Sequence, residues 1–187
     1  KNFNDEERDE KYLKTWNPLF PIETYIESGI DENDYEYSFR GNTSATFPYD
    51  LKKLSKDNGI TSILKNTPFG NNLTTDFAIA AVEAEQLGQD KVTDVLTLSY
   101  SCTDYVGHNF GVNSKEIEDT YLRLDQDIAR LLTYLDENVG KGNYTVFLTA
   151  DHGAVDVPKY LNSKKIPSGY FPMKEFEEAI KNYLGNE

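Results

Sequence analysis

The chain has 187 residues, of which 38% are hydrophobic, and its formal net charge at pH 7 is −13. This length suits one domain, and the negative charge argues against nucleic-acid partners because a polyanion is repelled. No apolar run reaches the roughly 18 to 20 residues that a membrane-spanning helix needs, and the single cysteine, Cys102, excludes an intrachain disulfide. Because the chain begins with Lys1, we expect a fragment or a processed form.

Residues 1–66 are rich in acidic and aromatic side chains. The acidic residues favour solvent, whereas the aromatic residues are typical of a segment that packs on a larger body rather than of a disordered one. We therefore predict a loop-rich accessory or cap segment over residues 1–66, with a short helix at Tyr49 to Asn58.

From Thr67 the chain alternates between helical and strand patterns. Apolar residues at helical spacing predict a helix that begins at Thr74 or Thr75 and ends at Gly88. The apolar run over residues 94–101 then predicts a buried strand of a parallel sheet.

A long helix and a second strand follow. Asn113 and Glu116 have the spacing of a capping box and predict a helix start, and an apolar face continues to a stop at Gly140. Residues 144–150 predict another buried strand. Residues 173–184 predict an amphipathic helix.

The order helix, strand, helix, strand is typical of a right-handed crossover between parallel strands. The predicted fold is therefore α/β, a parallel sheet flanked by helices with a loop-rich N-terminal excursion. Within it, residues 67–155 form the α/β core segment, and residues 156–187 form a loop plus an amphipathic helix of the same domain.

The chain has two histidines, and each lies close to an aspartate after a predicted strand. Asp104 precedes His108 by four residues, and Asp151 directly precedes His152. Because the carboxyl ends of parallel strands meet at one sheet edge, we expect the two carboxylates within about 10 to 12 Å of each other. Carboxylate and imidazole ligands suit a divalent metal, zinc before manganese. The alternative is that both histidines are structural and bonded to nearby backbone.

Three sequence motifs contain or precede these residues: T-P-F-G-N-N-L-T-T-D-F-A at 67–78, S-Y-S-C-T-D-Y-V-G-H-N-F-G at 99–111 and L-T-A-D-H-G-A at 148–154. Together they resemble the alkaline phosphatase superfamily, in particular its exported bacterial phosphatases related to the type I phosphodiesterases and nucleotide pyrophosphatases. The resemblance runs from about residue 12 to residue 184 and implies a partial alkaline-phosphatase-like fold.

The resemblance also implies roles for the four candidate ligands. Asp104 and His108 match two ligands of one zinc ion, and Asp151 and His152 match two ligands of a second. No residue of this chain matches the family's remaining zinc ligands or its threonine or serine nucleophile. The family's Lys-x-Arg pair, which binds phosphate oxygens, likewise matches no residue of this chain. The chain therefore resembles an internal fragment of a larger enzyme and is expected to be inactive by itself.

The parent activity implied is hydrolysis of a small-molecule phosphate monoester through a phospho-enzyme, with two zinc ions as cofactors. The resemblance also implies a periplasmic or exported protein, and we expect the fragment to self-associate through uncovered sheet edges. Two alternatives stay open: a phosphodiesterase or nucleotide pyrophosphatase of the same superfamily, and a non-catalytic interaction domain. We interpret Cys102 as a packed small side chain and Thr149 as a strand residue rather than a nucleophile.

Overall fold

The computed structural model describes residues 3–6 and 8–185, which belong to two compact units, Lys1–Val155 and Asp156–Glu187. The strands are β1 Thr15–Trp16 and β2 Tyr49–Asp50, and the helices are α1 Arg8–Lys11, α2 Leu51–Asn58, α3 Ile60–Lys65, α4 Phe69–Ala84, α5 Cys102–Phe110, α6 Lys115–Leu135, α7 Pro158–Ser163 and α8 Met173–Leu184. No helix in these described ranges combines the length and the apolar character needed to cross a membrane. The three-part division of the chain stays a prediction.

The two strands form a short antiparallel pair in which Trp16 lies opposite Tyr49. Both side chains are fully buried. The chain passes directly from β2 into α2, where the Asp50 carboxylate accepts a hydrogen bond from the Lys53 backbone N–H at 3.0 Å and so caps the helix. The predicted helix at Tyr49 to Asn58 is therefore present, with its first two residues in a strand instead.

The core is aromatic. The ring of Trp16 lies 5.2 Å from Phe47, 5.4 Å from Tyr49 and 5.9 Å from Phe110 between centroids. Two of these pairs are close to perpendicular, the edge-to-face arrangement that aromatic rings prefer. Because Phe110 belongs to α5, residues 1–66 and the following helices share one core.

Helix α4 begins at Phe69, five residues before the predicted start at Thr74. The Thr74 and Thr75 hydroxyls donate to the carbonyl oxygens of Gly70 and Asn71, one turn earlier, so neither threonine caps the helix. Polar residues after Pro68 indicate a turn in the sequence, but in the fold they form the first turn of α4.

Helix α6 begins one residue later than the capping-box prediction. Ser114 is the N-cap, and its Oγ accepts from the Ile117 backbone N–H at 3.1 Å. Glu116 takes no part in a capping box because its carboxylate points into the core. The helix ends in a π-helical turn at Gly140, whose φ of 103° is a conformation that favours glycine.

The predicted parallel sheet is not confirmed. Residues 94–101 and 144–150 form no strands, and the sheet in the described part of the chain contains β1 and β2 alone. Both apolar runs are largely exposed, as Val95 at 82% and Phe147 at 90% show. A strand exists only through hydrogen bonds to a neighbouring strand, and neither run has such a neighbour among the described residues.

The second unit contains α7 and α8. The bounds of α8, Met173–Leu184, are those that the apolar periodicity predicts. Within this unit the Ser168 hydroxyl donates to the Pro158 carbonyl at 2.7 Å, and the rings of Phe171 and Phe176 lie 5.3 Å apart.

An ion-pair network of two buried carboxylates and an exposed arginine joins α4 to α6. Arg130 donates to Asp76 at 2.6 Å and to Asp127 at 3.1 Å, and the Tyr12 hydroxyl donates to Asp76 at 2.7 Å. Burial alone would raise the pKa of Asp76, but the hydrogen bonds from Tyr12 and Arg130 and the charges of Arg130 and Lys11 outweigh it and hold that pKa below its usual value. The network fixes the two helices that support the candidate site.

Candidate metal centre

Helix α5 positions the first aspartate and histidine pair. Asp104 lies in its first turn and His108 one turn later, and their nearest atoms, Oδ2 and Nε2, are 3.4 Å apart. Val106 and Phe110 on the same helix are fully buried. Because these apolar residues anchor α5 in the core, its Asp104 and His108 side chains remain on the accessible face.

The second pair follows the extended run 144–150. The His152 backbone N–H donates to the Asp151 carboxylate at 3.1 Å, and His152 Nδ1 lies 2.9 Å from the Gly153 carbonyl oxygen. A carbonyl can only accept, so this contact places a proton on Nδ1. In the neutral ring, Nε2 then carries the lone pair that a metal would bind.

The two pairs meet at His152. Its Nε2 lies 3.7 Å from Asp104 Oδ1 and 3.7 Å from Asp151 Oδ2, so those oxygens are at most twice this distance, about 7.4 Å, apart. This upper limit is shorter than the distance of about 10 to 12 Å within which the sequence predicts the two carboxylates to lie. His108 contacts the other oxygen of Asp104, which makes a row of four groups drawn from two distant segments.

The site is open to solvent and dominated by negative charge. The exposed side-chain fractions are 43% for Asp104, 58% for His152, 76% for His108 and 90% for Asp151. The pKa of His152 is raised, first by its hydrogen bond to Gly153 and then by the Asp151 carboxylate. Within residues 3–6 and 8–185, no group of three or more histidine, cysteine or acidic side chains is arranged so that it could hold a metal ion. The donor types, two carboxylates and two imidazoles, nevertheless suit zinc.

Polar contacts to α4 hold the segment that leads into α5. Asn71 donates from Nδ2 to the Thr103 hydroxyl at 3.2 Å, next to Asp104, and the hydroxyls of Thr75 and Tyr100 are 3.1 Å apart. These contacts of Asn71 and Thr75 are not indicated by the sequence. Their polar side chains beside a proline and a glycine indicated a turn and a cap, although both are buried in the structure.

Of two other residues singled out in the sequence, Cys102 follows its interpretation, whereas Thr149 does not lie in the strand expected for it. Cys102 is buried, and burial raises the pKa of its thiol to about 11. A thiol with this pKa stays protonated near neutral pH, so Cys102 is a packed side chain rather than a reactive thiolate. A Cβ on Gly70 would lie 2.3 Å from the Cys102 sulfur, so the two residues are in close contact. The Thr149 hydroxyl donates to the Ala150 carbonyl at 3.2 Å.

A protein-family match and matches to individual proteins indicate what this chain is similar to. Residues 9–183 match the family described as type I phosphodiesterase / nucleotide pyrophosphatase. A Myroides odoratus protein named calcium-transporting ATPase is 52% identical over 190 residues, which cover 100% of this chain and 34% of that protein. Alkaline phosphatase PhoV from Synechococcus elongatus is 49% identical over 174 residues, covering 92% of this chain and 31% of that protein.

A solved structure agrees with these sequence matches. The crystal structure of wild-type alkaline phosphatase PafA has a TM-score of 0.88 and 44% identity, covering 97% of this chain and 35% of that chain. The chain thus spans about a third of the length of the relatives it matches. These matches confirm the resemblance to the alkaline phosphatase superfamily that the three sequence motifs indicate. The chain belongs to the type I phosphodiesterase / nucleotide pyrophosphatase family of that superfamily.

Proposed function

We propose that this chain supplies metal ligands to a zinc-dependent phosphatase that hydrolyses phosphate monoesters through a phospho-enzyme. The observation that carries the proposal is that the His152 imidazole lies close to both Asp104 and Asp151, with His108 on the other oxygen of Asp104. The two pairs are thereby brought together although they come from segments more than forty residues apart. Phosphatase names among the relatives support the reaction class.

Each pair would hold one zinc ion. Asp104 and His108 would bind the first, and Asp151 and His152 the second. When bound, a pair of such ions neutralises charge on the transferring phosphoryl group and lowers the pKa of the attacking hydroxyl or water. The chain itself contributes ligand orientation: α5 fixes the spacing of the first pair, and the Gly153 carbonyl selects the tautomer of His152 that leaves Nε2 available.

The nucleophile and the remaining ligands are proposed to come from residues beyond these 187. Four ligands give each zinc two protein donors, whereas catalytic zinc sites have at least three. We further propose that the exposed apolar runs 94–101 and 144–150 become sheet strands when other residues of the complete protein pair with them, which would place both ligand pairs at strand ends. The proposed location is periplasmic or exported.

A phosphodiesterase or nucleotide pyrophosphatase is the second candidate, favoured by the description of the matching family. Both reactions use the same metal chemistry, so the four ligands cannot separate them. The separating feature is recognition of the non-bridging phosphate oxygens, because a monoester carries one more negative charge than a diester. A non-catalytic interaction domain is the third candidate, and it predicts no metal dependence.

Steady-state hydrolysis by the complete protein that carries this sequence tests the proposal. Matched aryl phosphate monoester and diester substrates are compared before and after metal removal and after zinc is restored. Asp104→Asn and His152→Ala should each lower kcat/KM by at least about a hundredfold, a typical cost of disturbing a metal centre. Asp125→Asn, an exposed carboxylate on α6, serves as the control and should retain wild-type activity.

Three results would contradict the proposal. Activity that survives complete metal removal would exclude a zinc enzyme, and wild-type activity in Asp104→Asn would exclude the ligand assignment. A preference for the diester over the monoester would contradict the proposed phosphatase activity and support the phosphodiesterase activity instead.

A further inference from the structure

Asp104 contacts both histidines of the candidate metal centre. Its Oδ2 lies 3.4 Å from His108 Nε2, and its Oδ1 lies 3.7 Å from His152 Nε2. Within the described residues, no backbone N–H donates to the Asp104 carboxylate and fixes its direction. The position of this carboxylate therefore depends on where the first turn of α5 begins.

The start of α5 is not fixed by a helix cap. Ser101 occupies the N-cap position with helical backbone angles, φ −64° and ψ −18°, and in the described structure its side chain makes no capping hydrogen bond. Its hydroxyl instead lies 2.8 Å from the Ser99 hydroxyl. An N-cap residue normally has an extended backbone and an oxygen that accepts from the first turn. Because Ser101 has neither feature, other contacts must hold the start of this helix.

Two hydrogen bonds from α4 hold it. The Asn71 side-chain amide donates to the Thr103 hydroxyl at 3.2 Å, and the Thr75 and Tyr100 hydroxyls are 3.1 Å apart. Thr75 gives its own proton to the Asn71 carbonyl oxygen at 3.2 Å, so Tyr100 is the donor to Thr75. The chain is thus tied to the first two turns of α4 on both sides of the uncapped helix start.

Asn71 is an unfavourable residue for a purely packing role at this position. Its side chain is 1% exposed, and its Oδ1 has no hydrogen-bond partner. A buried amide oxygen without a partner destabilises the fold, which an apolar side chain would avoid. The bond to Thr103 is the one side-chain hydrogen bond of Asn71 in the described part of the chain. What Asn71 supplies is therefore a contact to the residue directly before Asp104.

We propose that Asn71 and Thr75 are positioning residues that hold residues 100–103 against α4 and thereby set where Asp104 lies between the two histidines. The inference rests on the proposed zinc centre and adds two residues to its support. Among the described residues neither side chain contacts a proposed ligand, so α5 transmits their effect. Losing a group that orients a metal ligand typically lowers metal affinity or activity about 10 to 100-fold. We expect the lower end of this range, because Asn71 contacts the neighbour of the ligand and not the ligand.

The zinc affinity of the complete protein, measured by competition with a chelator, tests the inference. Asn71→Ala and Thr75→Val should each raise the zinc Kd about tenfold. Thr75→Ser keeps the hydroxyl and should restore the wild-type Kd. Thr74→Val is the matched control, because the Thr74 hydroxyl bonds within α4, and it should leave the Kd unchanged. Tyr25→Phe removes a bond to α6 instead, so it should lower the Tm without changing the Kd.

Amide hydrogen exchange in the metal-free complete protein supplies a readout that needs neither zinc nor activity. The Tyr105 N–H donates to the Ser101 carbonyl oxygen at 3.2 Å and closes the first turn of α5. In Asn71→Ala and Thr75→Val this turn should exchange roughly fivefold faster, the increase expected when one hydrogen bond is lost. In Thr74→Val its exchange should match that of the wild type.

The outcomes separate this inference from the proposed function. If Asp104→Asn weakens zinc binding and Asn71→Ala does not, the positioning role is wrong and the zinc centre stands. A zinc Kd that Asp104→Asn leaves unchanged would overturn the ligand assignment and the positioning role together. An equal rise of the Kd in Tyr25→Phe would show that stability governs metal binding, and unchanged exchange in Asn71→Ala would show that α4 does not hold the start of α5. Either result would overturn the positioning role.

Discussion

Asp119 on α6 should be among the most sensitive positions for stability. Its carboxylate is fully buried and accepts four hydrogen bonds. Oδ1 accepts from the Leu19 backbone N–H at 2.7 Å and from the Tyr25 hydroxyl, and Oδ2 accepts from Trp16 Nε1 and from Arg123 Nε, both at 2.6 Å. One side chain therefore fastens the N-terminal segment to α6.

The substitution Asp119→Asn preserves the size of the side chain but removes its charge and replaces one acceptor oxygen by a donor. Two of the four donors, which are buried or partly buried, then face an N–H group and lose their partner. Each stranded donor costs about 1 to 3 kcal/mol, and breaking a buried ion pair costs about 3 to 5 kcal/mol. Both costs count lost contacts to the same carboxylate, so they overlap and are not added. We expect a loss of about 3 to 5 kcal/mol, a large share of the 5 to 15 kcal/mol typical of a folded domain.

Urea unfolding followed by tryptophan fluorescence measures this loss directly, because Trp16 is the only tryptophan in the chain and is itself a partner of Asp119. Asp125→Asn, on an exposed position of the same helix, should change the free energy of unfolding by less than about 0.5 kcal/mol. Tyr25→Phe removes one donor and should cost about 1 kcal/mol. A midpoint for Asp119→Asn that matches the Asp125→Asn control would refute the reasoning.

Three further predictions concern acid stability, packing and metal binding. Since the pKa of Asp76 is held below its usual value, its contribution is present above the unfolded pKa of about 4 and is lost as pH falls through the folded value, so Asp76→Asn should flatten the acid limb of a stability–pH curve. Gly70→Ala should cost about 1 to 3 kcal/mol in urea unfolding, because its Cβ would lie 2.7 Å from the Leu64 carbonyl oxygen, a backbone atom that cannot turn aside. Calorimetry of this chain should detect only weak zinc binding that His152→Ala weakens further, and its phosphatase activity should be negligible; two tight stoichiometric sites would show that the ligand assignment is incomplete.

Some features follow from the sequence because they depend on residues close together in the chain. The bounds of α8 and the stop of α6 at Gly140 come from apolar periodicity and a glycine with positive φ. The contact between Asp104 and His108 also follows from local geometry, since residues four apart share one face of a helix. The three sequence motifs at 67–78, 99–111 and 148–154 were sufficient to identify the superfamily.

Other features depend on contacts that no local pattern contains. Trp16 and Asp119 are 103 positions apart, and only folding places the indole against the carboxylate. Glu116, which has the sequence position of a capping residue, is instead buried and bonded to the Tyr49 hydroxyl, 67 positions earlier in the chain. The apolar runs at 94–101 and 144–150 show the same limit. Hydrophobic residues can indicate a strand, but a strand forms only where another segment supplies its hydrogen-bond partners.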